Sequence, residues 1–479
     1  MSEFQNLFKD MIKDSENTIY ALSTMTGIER SYLSKIISGK RKMTFDIFLS
    51  IIDAVCESES ETKRKEIVEA YINDVFGRDK FENYYYHLTS DIADYTNSNQ
   101  STISEITYDF KTFDSKLSLY NFALFFLSDN NKTNRIYTNV PIRTLLDIAC
   151  KKENCDFRCI INANNKDKNV SIFDLIKLNM ICCTGYIDEN TASIKNKSEF
   201  YPYIIISDNS ILFSSRNFDR GYYISNSELA DLYANEFCNT CKYLKVNSQI
   251  HDDVLNVKEP IAKYLFNREV HRVMTSNLCV VPFMTRHDWE ELAQPDLADR
   301  GYLINTTYEY YQEFFNSISC HMFIAPISGL VDFCDNGTVK EMPTEYSKPL
   351  SVETRIALLE KIVHYIKEEP DKYKLNFLRN NNLGSEEITL SIESSFDHNA
   401  DYETTLITMS DDKAQKTHFP GNYLFLSTDK DAITEYNSFF DILRISDKVM
   451  TKEETLAALE DRILRLKYNA ENINTAIDN

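Results

Sequence analysis

Glycine is scarce in this chain, at ten residues in 479 against a usual ~7%. With so little of it, the loops that cradle phosphate on bare backbone are missing. No G-x-x-x-x-G-K-[ST] and no G-x-G-x-x-G occurs, which excludes a P-loop and a dinucleotide-binding turn. Catalytic signatures are absent too. None of the eight histidines begins H-E-x-x-H, H-x-K or H-x-E, and there is no G-x-S-x-G elbow. The sequence therefore predicts no catalytic residues and no enzyme. Long apolar runs are also missing, and the opening MSEFQNLFKD has no apolar signal core. A cytoplasmic protein without a membrane partner is expected.

What the chain does have is enough apolar material for real cores. It is 43% hydrophobic over 479 residues, which predicts a globular protein of two to four domains. Its eleven cysteines, with no leader to export them, read as reduced thiols. Cys238 and Cys241 form a single C-x-x-C, and Cys150, Cys155 and Cys159 follow no zinc or iron–sulfur spacing. No metal and no cofactor is expected.

The sharpest signal is Thr18–Lys42, TIYALSTMTGIERSYLSKIISGKRK. Ile19, Leu22, Ser23, Met25, Ile28, Leu33, Ile36 and Ile37 recur at the spacing of buried helical faces. Gly27 stands where a short turn needs a residue free to take positive φ. Thr18 has the hydroxyl of an N-cap. Gly39 stands just past the second helix, in the position that favours glycine. The pattern predicts two short helices around a tight turn, followed by a basic loop.

This segment resembles the helix-turn-helix of the Cro and phage-repressor family, known as XRE-type, over residues 4–76. The turn glycine and the glycine after the recognition helix, Gly27 and Gly39, keep the family's twelve-residue spacing. The resemblance implies a five-helix domain, with helices over Phe4–Lys13, Thr18–Met25, Glu29–Ser38, Thr44–Val55 and about Glu61–Phe76. It implies that Arg30, Ser31, Ser34 and Lys35 read base edges of double-stranded DNA in the major groove. Lys40, Arg41 and Lys42 would hold phosphates, and Thr18, the cap of the second helix, is counted among the DNA-binding residues. Two positions depart from the family: Ser23 replaces the usual alanine of the helix crossing, and Ile19 replaces a frequent phosphate-binding glutamine.

Charge agrees with a confined contact. The chain carries −21, yet residues 28–45 carry a local +4, five bases against Glu29 alone. One such head makes few contacts, so a homodimer is expected.

The sequence divides into a helix-turn-helix domain over 1–80 and a helical connector and linker over 81–107. A large mixed α/β region follows, with a first lobe over 108–258 and a second, ending in helices, over 259–479. Thr96–Ser104 is the most linker-like stretch. Tyr201–Ser207 and Ile211–Ser215 predict a hairpin across Asp208-Asn209. Asn226–Cys241 predicts a helix with Leu229, Leu232, Tyr233 and Phe237 inward. This strand–hairpin–helix order resembles sensor domains built on a phospholipase-D-like sheet, which without H-x-K implies a catalytically empty one. In the second lobe, Leu278–Phe283 predicts a strand and Val331–Met342 a hairpin on Asn336-Gly337. Helices are expected over Ser171–Met180 and Val352–Glu368. Tyr203, Arg216, Arg220 and Tyr222 form a candidate ligand pocket; as an alternative, the tyrosines are strand faces and the arginines pair with nearby acids.

The function this predicts is a sequence-specific, dimeric DNA-binding regulator of transcription whose C-terminal region senses an unknown effector or oligomerises. One alternative is a regulator whose C-terminal region binds a protein partner, of the antitoxin or defence-system kind. A second is a DNA-tethered enzyme, which the missing catalytic motifs disfavour.

Overall fold

The computed structural model describes residues 3–14, 18–41, 43–56, 61–89, 109–128, 134–148, 155–162, 178, 184–188, 200–249, 266, 268–342, 346–380, 383, 388–396, 404–411, 423–427 and 430–477. The predicted Thr96–Ser104 linker, Lys42 and, apart from Leu178, the predicted Ser171–Met180 helix lie outside them.

The chain opens with six helices: α1 (Glu3–Asp14), α2 (Ile19–Thr26), α3 (Arg30–Ile37), α4 (Phe45–Cys56), α5 (Glu61–Val75) and α6 (Arg78–Thr89). Their apolar residues fall where the sequence periodicity puts them. Phe4, Phe8, Met11 and Ile12 of α1 are buried, with Leu22 of α2 and Leu33 and Ile36 of α3. The centre is aromatic: the rings of Phe48 and Tyr71 stack 3.9 Å apart at 5°, joining α4 to α5.

Two mixed sheets follow. The first has β1 (Phe110–Phe113), β2 (Arg135–Thr138), β3 (Asp156–Asn162), β4 (Thr184–Asp188), β5 (Tyr203–Ile206), β6 (Ser210–Ser214), β7 (Gly221–Ser225) and β8 (Lys245–Gln249), in the order β1-β7-β6-β5-β2-β3-β4-β8. Strands β2, β3 and β4 run parallel, and β5–β6 is the expected antiparallel hairpin across Asp208-Asn209. Helices α7 (Lys116–Ser128) and α8 (Ile142–Ile148) cover one face, through Phe122, Leu145 and their neighbours. Helix α9 (Ser227–Cys241) covers the other. Its buried side is Ala230, Ala234, Phe237 and Cys241. This corrects the inward face expected of Leu229, Leu232, Tyr233 and Phe237, since Leu232 is 62% exposed. Two alanines let the helix approach the sheet closely, a contact that reading by size of apolar residue overlooks.

The second sheet has β9 (Val270–Thr275), β10 (Cys320–Pro326), β11 (Tyr373–Leu378), β12 (Ile388–Phe396), β13 (Thr404–Asp411) and β14 (Tyr423–Ser427), in the order β11-β10-β9-β12-β13-β14. The remaining helices are α10 (Arg286–Leu292), α11 (Arg300–Ser317), α12 (Ile327–Asn336), α13 (Val352–Glu368), α14 (Lys430–Ile445) and α15 (Lys452–Ile477). Alternation along the strands separates two layers. Val273, Phe323, Tyr373 and Leu375 join the core built with α10–α13 and α15. Met274, Ile324 and Ile392 join the core containing Tyr436 and Phe440 of α14.

Two expectations are corrected here. Leu278–Phe283 is a loop ending in a 3₁₀ turn at Val281–Phe283, in which Pro282 offers no N–H to a ladder. Asn336-Gly337 turns no hairpin. It ends α12, with Gly337 left-handed at φ 68° and its N–H bonded to the Phe333 carbonyl at 2.9 Å. The same dipeptide serves a hairpin or a helix stop, and here the apolar residues Leu330, Phe333 and Cys334 carry a helical period.

Helix α14 joins the helical head to the second sheet. On one side Phe439 packs against Phe76, Phe81 and Tyr84, with ring centroids 5.2–6.2 Å apart. Lys80 pairs with Glu435 beside them, and Lys448 with Glu82 at 3.3 Å. On the other side Asp441 takes both a Nε and a terminal N–H of Arg272, each at 2.9 Å. Among the described residues, no helix is long and apolar enough to cross a membrane.

Candidate nucleic-acid interface

Helices α2 and α3 are set by side-chain to backbone bonds that the sequence supplies locally. The Thr18 hydroxyl accepts from the Ala21 N–H at 3.1 Å and starts α2. Gly27 closes it at φ 70°. The Ser23 hydroxyl, at the position where alanine is usual, donates to the Ile28 carbonyl at 2.6 Å and ties the turn to α2. Thr26 adds a bond to the Leu22 carbonyl and accepts from the Ile28 N–H. The departure at Ser23 thus braces the turn instead of loosening it.

Helix α3 is anchored by Leu33 and Ile36, both buried. At 100° per residue, Arg30, Ser34, Ser31 and Lys35 then spread over roughly 140° of the remaining surface, and all four are exposed. The helix ends in a Schellman pair. The Gly39 N–H bonds the Ile36 carbonyl and the Lys40 N–H the Lys35 carbonyl, both at 2.8 Å. Gly39 takes φ +72° to do so. This reversal leaves Lys40 and Arg41 exposed beside the last turn of α3.

Two cations of this surface rest on tyrosines. The Arg30 guanidinium carbon sits 4.0 Å from the centre of the Tyr20 ring, and that of Arg41 sits 4.2 Å from Tyr32. Tyr20 is 59% exposed. The sequence does not single it out, because its contact with Arg30 depends on the angle at which α2 and α3 cross. Ser31 donates to Glu29 at 2.6 Å. The Thr18 hydroxyl, already an acceptor, keeps its proton for an outside partner.

The structure does not bring the candidate pocket together. Tyr203 is buried in the layer beneath α7, whereas Tyr222 lies on the opposite sheet face, its ring 4.6 Å from Phe213 and near-parallel to it. Register explains this. Tyr203 pairs Ser214 and Tyr222 pairs Phe213, one residue out of phase, and a one-residue step changes face. Arg216 and Arg220 are exposed in the connecting loop, where Ser215 bonds Asp219 at 2.6 Å.

No protein-family model matches the chain, and no curated protein does. Two solved structures show low similarity. One is TrmBL2, described as an archaeal chromatin protein with a novel mode of DNA binding, at 7% identity and a TM-score of 0.22, over 50% of this chain and 99% of that one. The other is the polyphosphate kinase of Porphyromonas gingivalis, at 10% identity and a TM-score of 0.21, over 76% of this chain and 55% of that one. Scores this low do not establish a shared fold.

Proposed function

We propose that this protein is a sequence-specific DNA-binding regulator of transcription, with an XRE-type head over its first 80 residues. The observation that carries this reading is the surface of α3. Leu33 and Ile36 anchor the helix while Arg30, Ser31, Ser34 and Lys35 stand exposed along one arc, beside the exposed bases Lys40 and Arg41. A helix offering arginine, lysine and hydroxyls in that arrangement fits the major groove, where arginine and lysine meet guanine O6 and N7. Lys40 and Arg41 supply phosphate contacts that set its register.

The reading assigns the two sheets to a non-catalytic region that senses an effector and pairs two copies. Two heads double the contacts that one short recognition helix makes. The strongly acidic body keeps the rest of the surface off DNA. The docking of Phe439 on the head makes α14 the element through which the second sheet would bias the position of α3.

A pull-down of sheared genomic DNA by the full-length protein tests this. A small set of enriched fragments sharing an inverted repeat is expected. Retention of all fragments alike, or of none, would sink the reading.

A further inference from the structure

The layer between the second sheet and α11 holds a group of titratable side chains outside the helical head. His271 and His321 are register partners on β9 and β10, and neither reaches solvent to more than 1%. Their Nδ1 atoms are 3.3 Å apart, His321 Nε2 is 3.0 Å from the Phe315 carbonyl, and His271 Nε2 is 3.1 Å from Glu393. A carbonyl only accepts, so His321 carries its proton on Nε2. Burial holds His321 down to about 3, so it is neutral and its Nδ1 accepts from His271. His271 Nε2 faces Glu393 on its other side. Glu393, which also accepts from Ser391 at 3.1 Å, is therefore accounted for.

Glu341 is not. Both of its carboxylate oxygens are sealed from solvent, and among the described residues the donors beside them are its own backbone N–H and a thiol, neither in full hydrogen-bond geometry. The weak thiol donor of Cys279 lies alongside. The neighbouring ammonium of Lys340 is committed to Asp332 at 2.9 Å. A buried carboxylate without a cation or a strong donor costs several kcal/mol when ionised, and native structures seldom keep one without a guest ion or water.

The surroundings say what kind of guest. Tyr311, which feels Glu341, Cys279 and Glu393, stacks on Trp289 at 5.8 Å, and Tyr310 meets Tyr311 edge-on at 5.3 Å. Trp289 is 2% exposed, and among the described residues its indole N–H has no acceptor. Tyr310 and Tyr311 are half-buried. Aromatic faces beside a buried carboxylate suit an organic cation better than a bare metal ion. Among the described residues, no group of ligating side chains is arranged for a metal.

We propose that Glu341 anchors a site for a small organic ammonium ion in the second sheet region, walled by Tyr310, Tyr311 and Trp289. This names the effector class for the sensing role proposed above, but the site stands on its own residues. The cation pairs with the ionised carboxylate, and its alkyl part lies against the rings. Burial pushes the carboxyl of Glu341 up to about 7, so binding below that pH expels a proton, and binding above it expels none.

Trp289 is the one tryptophan in the chain, so its fluorescence reports on the site directly. The full-length protein is titrated with methyl- to butylammonium at pH 7, with butanol as the neutral control. A saturable change with the ammonium series alone is expected, weakened about tenfold or more in Glu341→Gln, with unchanged melting as the check on folding. Calorimetry of the wild type in two buffers should show proton release that grows from pH 8 to pH 6. Silence across the series, an equal response to butanol, or wild-type affinity in Glu341→Gln overturns the proposal. If Glu341→Gln does not fold, pH-independent proton release in the wild type overturns it as well. The measurement uses no DNA, so failure here leaves the reading of α3 untouched, and failure of DNA binding leaves this site intact.

Discussion

The Arg30 guanidinium lies over the ring of Tyr20, 4.0 Å from its centre, and so bridges α2 and α3 across the turn between them. The stacked face of the guanidinium is occupied while its edge N–H groups remain open. That is the orientation a bidentate contact to guanine uses. Tyr20→Ala should free the arginine and weaken cognate DNA binding about two- to fivefold, the equivalent of ~0.5–1 kcal/mol for an exposed cation–π pair. Tyr20→Phe should keep wild-type affinity. Fluorescence anisotropy on a selected duplex measures both, and equal losses would assign Tyr20's hydroxyl, not its ring, to the contact.

Lys35 and Lys40 are expected to differ in kind. Lys35→Ala should cost ~1–3 kcal/mol on the cognate site and relax the preference at one base position. Lys40→Ala should weaken every sequence alike and lower the salt slope by about 1. Titrations at several salt concentrations on cognate and scrambled duplexes separate the two, and identical behaviour would remove Lys35 from base reading.

Gly39 holds φ +72°, and a β-carbon there would meet the Gln5 side chain at 2.9 Å. Gly39→Ala should destabilise the head by about 1–2 kcal/mol through the left-handed backbone alone. Denaturant melts followed by circular dichroism would register it. A neutral outcome would mean that the Schellman turn relaxes without cost.

Phe439 is fully buried against Phe76, Phe81 and Tyr84. Phe439→Ala should cost about 3–5 kcal/mol and loosen the head from α14. Hydrogen exchange should quicken in α5 and α6 before it does in β9 and β10. Uniform acceleration throughout would show that the head has no independent stability.

His321 supplies a pH dependence. Its ordinary value of 6.5 falls to about 3 in the fold, first because of burial and then because of His271. The unfolded chain therefore takes up the proton more readily than the folded one between those values. Stability is complete above pH 6.5 and falls on acidification towards pH 3, by about 1.4 kcal/mol per unit from this group. His321→Gln cannot protonate and should flatten that part of the profile in urea melts at stepped pH.

The head was readable because its signals are local. The Thr18 cap, Gly27 and Gly39 each act within four residues of their partners, so the spacing predicts two short helices around a turn, and the bounds that the resemblance implies for α2 and α3 agree to within a residue or so. Tyr20 was not readable as the platform of Arg30, since their contact needs the angle at which two helices cross. Strand β9, VHRVMT, was missed because His271 and Arg272 interrupt its apolar run. Each is buried only because Glu393 or Asp441, more than a hundred residues on, arrives to meet it. Glu341 gave no signal at all. Its significance is the lack of a cation or strong donor beside it among the described residues, and a sequence does not record what fails to come close.

Selection from a random DNA pool by the full-length protein, run in parallel with Lys35→Ala, tests the central claim most directly. The wild type should enrich one motif repeated with two-fold symmetry, and Lys35→Ala should enrich the same motif with one position per half-site degenerate. A pool that stays random with the wild type, or a motif untouched by the substitution, would contradict the assignment of α3 as the helix that reads DNA.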